Sequence, residues 1–377
     1  MAFRLCLTLK PLKTCGSNPF EDIMAQNRKI LVAMSGGVDS SAACVLLKEQ
    51  GFDITGVTLL LKGDIDDASR RTISDTVGKL GIEHHYLDHR QEFFQRVILA
   101  SAQEYACGRT PNPCCLCNPQ MKFAAVAAFA DSLGITDIAT GHYASICKDD
   151  GDCYLQRGAD RAKDQSYFLY RLPQELLARL HFPLADKTKS EIRQISQAAG
   201  LEVFDRPDSQ DVCFAVENEC CGETLRRLSG LPAKPGSFIY QGKVVGKHPG
   251  IHLYTIGQRK GLGVALGKPG YISKIDSVSG TIELVTDESV ISTASFSITD
   301  AVWNCGTAPE NISDLTVKIR YRTTDCPCSV TRDGALWHIK SEAGLFRAVT
   351  PGQSAVFYQG ERLLGGGIIT ESGEQLC

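Results

Sequence analysis

The sequence predicts an α/β protein: a doubly wound parallel sheet in the N-terminal half, a small β-rich module after it, and a β-barrel at the C-terminus. Three observations carry this. Short apolar runs ending in glycine alternate with helical-period segments as far as about residue 200. Beyond about residue 215 glycine and proline become frequent and helical periods vanish. From about residue 293 short strand patterns follow one another, as in a barrel.

Residues 29–33, KILVA, form an apolar run that reads as a buried parallel strand. It ends in S-G-G-V-D-S-S, residues 35–41, and passes into an apolar-periodic helix closed by Gly51. Strands are then expected at 54–61 and 82–88, with helices at 70–80 and 92–106. The stretch T-P-N-P-C-C-L-C-N, residues 110–118, is expected to be a strained, exposed loop, because two prolines and two asparagines surround its cysteines. A helix at 121–133 and a strand at 135–143 follow, then a hairpin over 145–157 turning at Asp150-Gly151. Two helices come next, the second opened by a capping box from Thr188 to Glu191 and stopped at Gly200. Turn signals near Gly242, Gly250, Gly267 and Gly280 mark the central module. The expected division is an extension at 1–27, the α/β domain at 28–214, the central module at 215–292 and the barrel at 293–377.

The chain has 377 residues, 43% of them hydrophobic and 22% charged, enough for two or three domains with ordinary cores. No apolar run reaches membrane-spanning length. The first 27 residues carry Arg4, Lys10 and Lys13 and no acid before Glu21, a poor secretory signal. They are expected to be a disordered tail, or to precede a true start at Met24, in preference to an organelle-targeting peptide. Sixteen cysteines in a chain this long do not make a secreted disulfide framework, so reduced thiols in a cytoplasmic setting are expected.

Net charge is −3, which by itself does not suggest a nucleic-acid binder. Residues 224–275, however, hold nine Lys or Arg and no acid, leaving 31 of the 40 basic residues against all 43 acids elsewhere. Such a segment suits a polyanion, the alternative being a solvated basic face.

The glycine turn lies where the first strand meets its helix, the ligand edge of an open α/β sheet. Glycines let backbone amides approach an anion, and the helix N-terminus favours negative charge. No Gly-Lys-Ser/Thr follows, and no G-x-G-x-x-G is present, so it is neither a Walker A loop nor a dinucleotide fingerprint. The heptad resembles the pyrophosphate loop of the ATP pyrophosphatases, a family that includes GMP, NAD and argininosuccinate synthetases and several tRNA-modifying enzymes. The resemblance implies a Rossmann-like domain of the adenine nucleotide alpha hydrolase type. It also implies that ATP, with Mg2+, is held by Ala33, Met34, Ser35, Gly36, Gly37, Val38, Asp39, Ser40, Leu61 and Gly141.

An ATP-activated carbonyl is a good electrophile, and a thiolate or persulfide is a good nucleophile for it. Cys117 and Cys213, each in a short polar stretch, are the candidates; the competing reading of each is an inert buried thiol. The motifs G-R-T-P-N-P-x-x-x-C-N, A-T-G-H-Y, K-D-Q-S-Y-F-L-Y, D-S-x-x-x-C-F and T-I-G-Q-R-K-G-L-G occur in that order. From about residue 28 to 370 the chain resembles the tRNA-specific 2-thiouridylase family. The resemblance implies adenylation of the C2 oxygen of the wobble uridine in tRNAs for Lys, Glu and Gln. It implies a persulfide on Cys213, loaded by a sulfur-relay protein or cysteine desulfurase, and a Cys117–Cys213 disulfide left behind. Asn112, Pro113, Cys114, His142, Lys163, Asp164, Gln165, Arg320, Tyr321 and Gln353 would meet the tRNA, with Arg259 and Lys260 on its backbone.

Many relatives carry Asp where this chain has Cys114. The change creates a C-x-x-C pair that, with Cys213, could ligate an iron–sulfur cluster. Zinc, with Cys220 and Cys221 as further ligands, is a third option after the metal-free persulfide route. Another pyrophosphate-loop RNA thiolase, or a tRNA-binding protein without catalysis, are the alternatives; a monomer is expected.

Overall fold

The structure, a computed structural model, describes residues 28–63, 65–149, 152–201, 212–304, 306, 308–309 and 312–370. The extension at 1–27, the Asp150-Gly151 turn and most of the stretch leading to Cys213 lie outside them. Strand β1 (Lys29–Ala33) runs through the glycine turn into α1 (Val38–Glu49), and β2 (Asp53–Leu60), α2 (Asp67–Leu80) and β3 (Glu83–Asp88) continue the alternation. Helix α2 starts ahead of the expected residue 70, because the Asp66 carboxylate caps it, accepting from the Ser69 N–H at 2.8 Å and the Ser69 hydroxyl at 2.7 Å. A helical stretch comprises α3 (Arg90–Phe93), a π segment at Phe94–Leu99 and α4 (Ala100–Ala106).

The next stretch corrects the expectation of a strained loop. Pro113–Cys117 is a helix, α5, continued by a π segment at Asn118–Lys122 and by α6 (Phe123–Ser132). The residues read as breakers are starters here. Asn112 is the N-cap, its side-chain oxygen accepting from the N–H of Cys114 and Cys115, and Pro113 sits at the first helical position, where a missing N–H costs nothing. Cys115 and Cys117 are buried and only Cys114 is half-exposed.

Strand β4 (Asp137–Thr140) precedes a hairpin of β5 (Ala144–Asp149) and β6 (Asp152–Arg157), then come α7 (Gln174–Leu177), β7 (Leu180–His181) and α8 (Lys189–Ala198). The capping box at Thr188 and Glu191 forms as expected. The parallel sheet has the order β3-β2-β1-β4-β7. Strand order reverses between β1 and β4, so a crevice opens beyond their carboxyl ends, where the glycine turn and Gly141-His142 emerge. Both faces are covered. Ile30, Val32 and Met34 pack under α1 and α2, and Leu31 joins Phe123, Val126 and Ile138 on the other side.

The central region contains a helix that its glycine-rich texture concealed, α9 (Cys221–Ser229). Strands β8 (Gly236–Tyr240), β9 (Lys243–His248), β10 (Tyr271–Asp276) and β11 (Thr281–Val285) form a sheet of order β10-β11-β8-β9 around Phe238, Ile272 and Ile282. The C-terminal strands are β12 (Ser292–Thr293), β13 (Ser295–Trp303), β14 (Leu315–Lys318), β15 (Cys326–Asp333), β16 (Leu336–Ser341), β17 (Phe346–Arg347), β18 (Ser354–Gln359) and β19 (Arg362–Thr370). Six of them run β13-β16-β15-β14-β18-β19, and β19 pairs back with β13 to close the predicted barrel. The β5–β6 hairpin belongs to this sheet, joined through β6 to β19, so the first half of the chain is hydrogen-bonded into the last.

Candidate active site

The glycine turn has the backbone that an anion cradle needs. Gly36 has φ +76°, and a Cβ there would fall 2.8 Å from the Ser69 carbonyl oxygen. Gly37 caps α1 with no side-chain bond, leaving the first-turn amides for an anion. The Ser40 hydroxyl accepts from the Ser35 N–H at 3.2 Å and donates to the Gly37 carbonyl at 3.1 Å, folding the turn on itself. Gly141, at the end of β4, presses against it; a Cβ there would lie 2.8 Å from both Asp39 C and Ser40 N. Asp39 Oδ1 accepts from Lys189 Nζ and from the Tyr143 hydroxyl, each at 2.7 Å. Met34 is fixed from below, its carbonyl accepting from the Thr58 hydroxyl at 2.8 Å, which in turn meets His84 Nε2 at 2.9 Å.

From Gly141 the chain of contacts leads to the thiols. His142 Nδ1 lies 2.7 Å from the Thr140 hydroxyl and its Nε2 lies 3.5 Å from Lys122 Nζ. Burial, then the nearby Lys122 charge, pushes the imidazole well below its ordinary value, so it is neutral. The Lys122 charge also acts on the Cys117 thiol, five residues before it in the same helical stretch. Cys117 packs with Met121, Phe93 and Phe214, and Leu61 and Val212 border the same cluster. Cys213 stands between Val212 and Phe214, exposed, and feels the charges of both Lys122 and Lys62. Cys117 and the neighbours of Cys213 thus border Leu61, which follows β2 at the carboxyl edge of the parallel sheet.

Burial raises the Cys117 thiol to about 12 and Cys114 to about 11, and in both the Lys122 charge pulls the other way. The Cys213 thiol is also raised by the protein crowding it, against the pull of Lys122 and Lys62. Its exposed surface is the weightier fact, since a reacting partner can reach it. Among the described residues no three His, Cys, Asp or Glu side chains converge as metal ligands. As placed, Cys114, Cys117 and Cys213 do not form such a ligand set, nor do they with Cys220 and Cys221.

The other expected residues divide into two groups. Gln165 pairs with Tyr143 through backbone and side chain, which fixes it beside His142. Tyr321 lies 4.5 Å, ring to ring, from Phe168, and Lys163 is half-exposed. Asp164, by contrast, is buried, and its carboxylate accepts from the Gly158 and Ser166 amides and the Ser166 hydroxyl. Arg320 donates to the carbonyls of Ile256 and Ala348 and to the Thr350 hydroxyl. Gln353 donates to the Thr110 carbonyl at 2.7 Å, and the Thr110 N–H donates to the Pro351 carbonyl at 2.9 Å. These three hold the site's frame rather than present free groups.

The acid-free segment is less basic than its composition. Arg226 and Arg227 pair with Glu223 and Glu219, just upstream of it, and Lys234 donates to the Ala106 and Ser277 carbonyls. Lys243, Lys247, Arg259, Lys260, Lys268 and Lys274 are exposed. Sequence reasoning passed over Lys122, and it read the stretch around Lys189 only as a helix start.

The family model described as tRNA methyl transferase HUP domain matches residues 28–217, the tRNA methyl transferase PRC-barrel domain matches 228–286, and the aminomethyltransferase beta-barrel domain matches 293–369. A protein of Acidithiobacillus ferrooxidans named tRNA-specific 2-thiouridylase MnmA is 39% identical over 360 residues, covering 91% of this chain and 98% of its own. A Bacteroides fragilis protein named tRNA-specific 2-thiouridylase MnmA 3 is 40% identical, covering 91% of this chain and 94% of its own. One of Syntrophotalea carbinolica, named tRNA-specific 2-thiouridylase MnmA, is 40% identical, covering 91% and 99%.

Proposed function

The chain belongs to the tRNA-specific 2-thiouridylase family, and we propose from its geometry how it carries out that sulfur transfer. It is a tRNA sulfurtransferase that uses ATP. The domain descriptions speak of methyl transfer, but relatives matching along nearly the whole chain are named for thiolation, and paired thiols beside an anion cradle suit sulfur chemistry.

The turn from Ser35 to Ser40 binds the phosphates of ATP, with Ala33, Met34 and Leu61 toward the nucleoside and Gly141 closing the cradle. Asp39, the turn's one carboxylate, would meet a Mg2+ ion carried with the nucleotide. The C2 oxygen of the wobble uridine of tRNA for Lys, Glu or Gln attacks the α-phosphorus and pyrophosphate leaves. Cys213 carries the persulfide, loaded by a relay protein or a cysteine desulfurase. The Cys117 thiolate attacks the Cys213 sulfur, forming the Cys117–Cys213 disulfide and releasing hydrosulfide. Hydrosulfide adds at C2, AMP departs, a proton is lost, and 2-thiouridine remains. His142, Lys163 and Gln165 line the base's approach, Tyr321 stacks beside it, and Arg259 and Lys260 meet phosphates. The chain acts as a cytoplasmic monomer.

The observation that carries this reading is the set of contacts from Asp39 through Gly141 and His142 to Lys122, which follows Cys117 on one helical stretch. The test incubates the protein with ATP, a persulfide donor and wobble-uridine tRNA, and measures 2-thiouridine, AMP and pyrophosphate. Cys213→Ser and Cys117→Ser are expected to abolish thiolation and retain tRNA affinity. Thiolation at another base would replace this reading with a different RNA thiolase, and binding without thiolation would leave a tRNA-binding protein.

A further inference from the structure

Asp39 is the one carboxylate of the glycine turn and lies in the first turn of α1. The last torsion of an aspartate is broad, so its two oxygens point in no fixed direction unless something holds them. Here two donors meet on one oxygen. The Tyr143 hydroxyl and Lys189 Nζ each donate to Oδ1 at 2.7 Å, while among the described residues nothing donates to Oδ2. The Asp39 side chain is 34% exposed, so the held carboxylate can still take a ligand. Tyr143 is the fixed member of the pair. Its ring is buried with Val38, Ala42, Leu184 and Ile192 in the cluster that joins α1 to α8. Its main chain is clamped at both polar groups: the N–H donates to Gln165 Oε1 at 3.0 Å, and the carbonyl accepts from the Gln165 N–H at 2.8 Å. Lys189 reaches Asp39 on a flexible stem, which supplies charge more than direction.

We propose that Tyr143 is a positioning residue for the nucleotide: its phenol turns the Asp39 carboxylate so that Oδ2 is the oxygen offered to the divalent cation that travels with ATP. A single hard carboxylate suits Mg2+, which is held by one or two carboxylates together with substrate phosphates and its own waters. Such a site needs no cluster of protein ligands. The groups that hydrogen-bond a ligating carboxylate orient it, and losing one of them typically weakens the metal about 10- to 100-fold. The inference rests on the reading of Asp39 as the cation's ligand, and its test needs neither tRNA nor a sulfur donor.

The test titrates the full chain, Tyr143→Phe, Asp39→Asn and the double variant with ATP by calorimetry, once with Mg2+ and once with EDTA. Tyr143→Phe removes only the hydroxyl from a packed ring. It is expected to weaken ATP binding about tenfold with Mg2+ and by less than about twofold with EDTA. In the Asp39→Asn background the same change should cost less than about twofold in either medium, because the carboxylate it orients is gone. Equal affinity of wild type and Tyr143→Phe with Mg2+ would overturn the proposal. So would a loss of the same size with EDTA, or full additivity with Asp39→Asn, since either makes the phenol a prop for the fold. Failure of Tyr143→Phe to fold has the same meaning. A wild type that binds ATP equally well with Mg2+ and with EDTA would instead remove Asp39 as the cation's ligand, and this inference with it, without touching the assignment of the two thiols.

Discussion

Replacing Gly141 by Ala tests whether the sheet itself shapes the ATP cradle. Gly141 follows β4, and the added Cβ would sit 2.8 Å from Asp39 C and Ser40 N and 3.0 Å from Asp39 O. All three are backbone atoms at the start of α1, so no side chain can swing aside. Either the turn moves or β4 does. Overpacking of this kind costs about 1–3 kcal/mol. If the turn yields, the cost falls on nucleotide binding, and the ATP dissociation constant in the presence of Mg2+ should rise about 5- to 150-fold by calorimetry. If β4 yields, it appears as a lower melting temperature at unchanged affinity. Gly78→Ala is the matched control: it lies inside α2, a Cβ there meets nothing within 4 Å, and the change should stabilise by about 0.5–1 kcal/mol. A Gly141→Ala protein that binds ATP within about twofold of wild type and melts with it would refute the contact as a determinant of the turn.

Two further outcomes follow from the charge layout. Arg259→Gln with Lys260→Gln should flatten the plot of log binding constant against log salt for tRNA by about 1.4 to 1.8 in slope, with little preference among tRNAs; an unchanged slope would remove these residues from the RNA surface. His84 is held down to about 4 by burial and then by His85, while the Thr58 hydroxyl pairs with the neutral ring. The unfolded chain takes up this proton near pH 6.5 and the folded one only near 4, so its contribution to stability is present above about 6.5 and lost on acidification to about 4. Urea midpoints should fall more steeply over that window in wild type than in His84→Gln, and parallel curves would contradict the assignment.

The α/β alternation was legible because period and punctuation agree. KILVA is apolar on both faces, as a doubly covered strand must be, and Gly81 ends α2 with φ +61° as a glycine C-cap should. The cysteine stretch was misread because proline and asparagine carry opposite meanings a residue apart: inside a helix they break it, at its first position and cap they begin it. Pro119 survives inside the helical stretch because the π segment changes which amides must bond. Helix α9 was hidden by its length of nine residues, and by ion pairs to Glu219 and Glu223 that periodicity cannot weigh. The β5–β6 hairpin was readable as a hairpin, but alternation says nothing about which sheet a hairpin joins.

At the site, a residue type and spacing that suit contact with RNA suit equally well a contact between parts of the fold. Arg320 has the planar fork that recognises phosphate, yet here it spans the carbonyl of Ile256 in the central module and that of Ala348 beside the barrel. Gln353 has an amide that could read a base edge, yet it donates to the Thr110 carbonyl two residues ahead of the Asn112 cap. Gly352, with φ +90°, lets that approach happen, for a Cβ there would lie 3.1 Å from Thr110 N and C. The barrel thus grips the segment that starts the cysteine helix, and β6 ties the same barrel to the hairpin that follows Gly141-His142. These cross-chain bonds hold the barrel against the two segments that frame the site, an arrangement that no motif in the sequence displays.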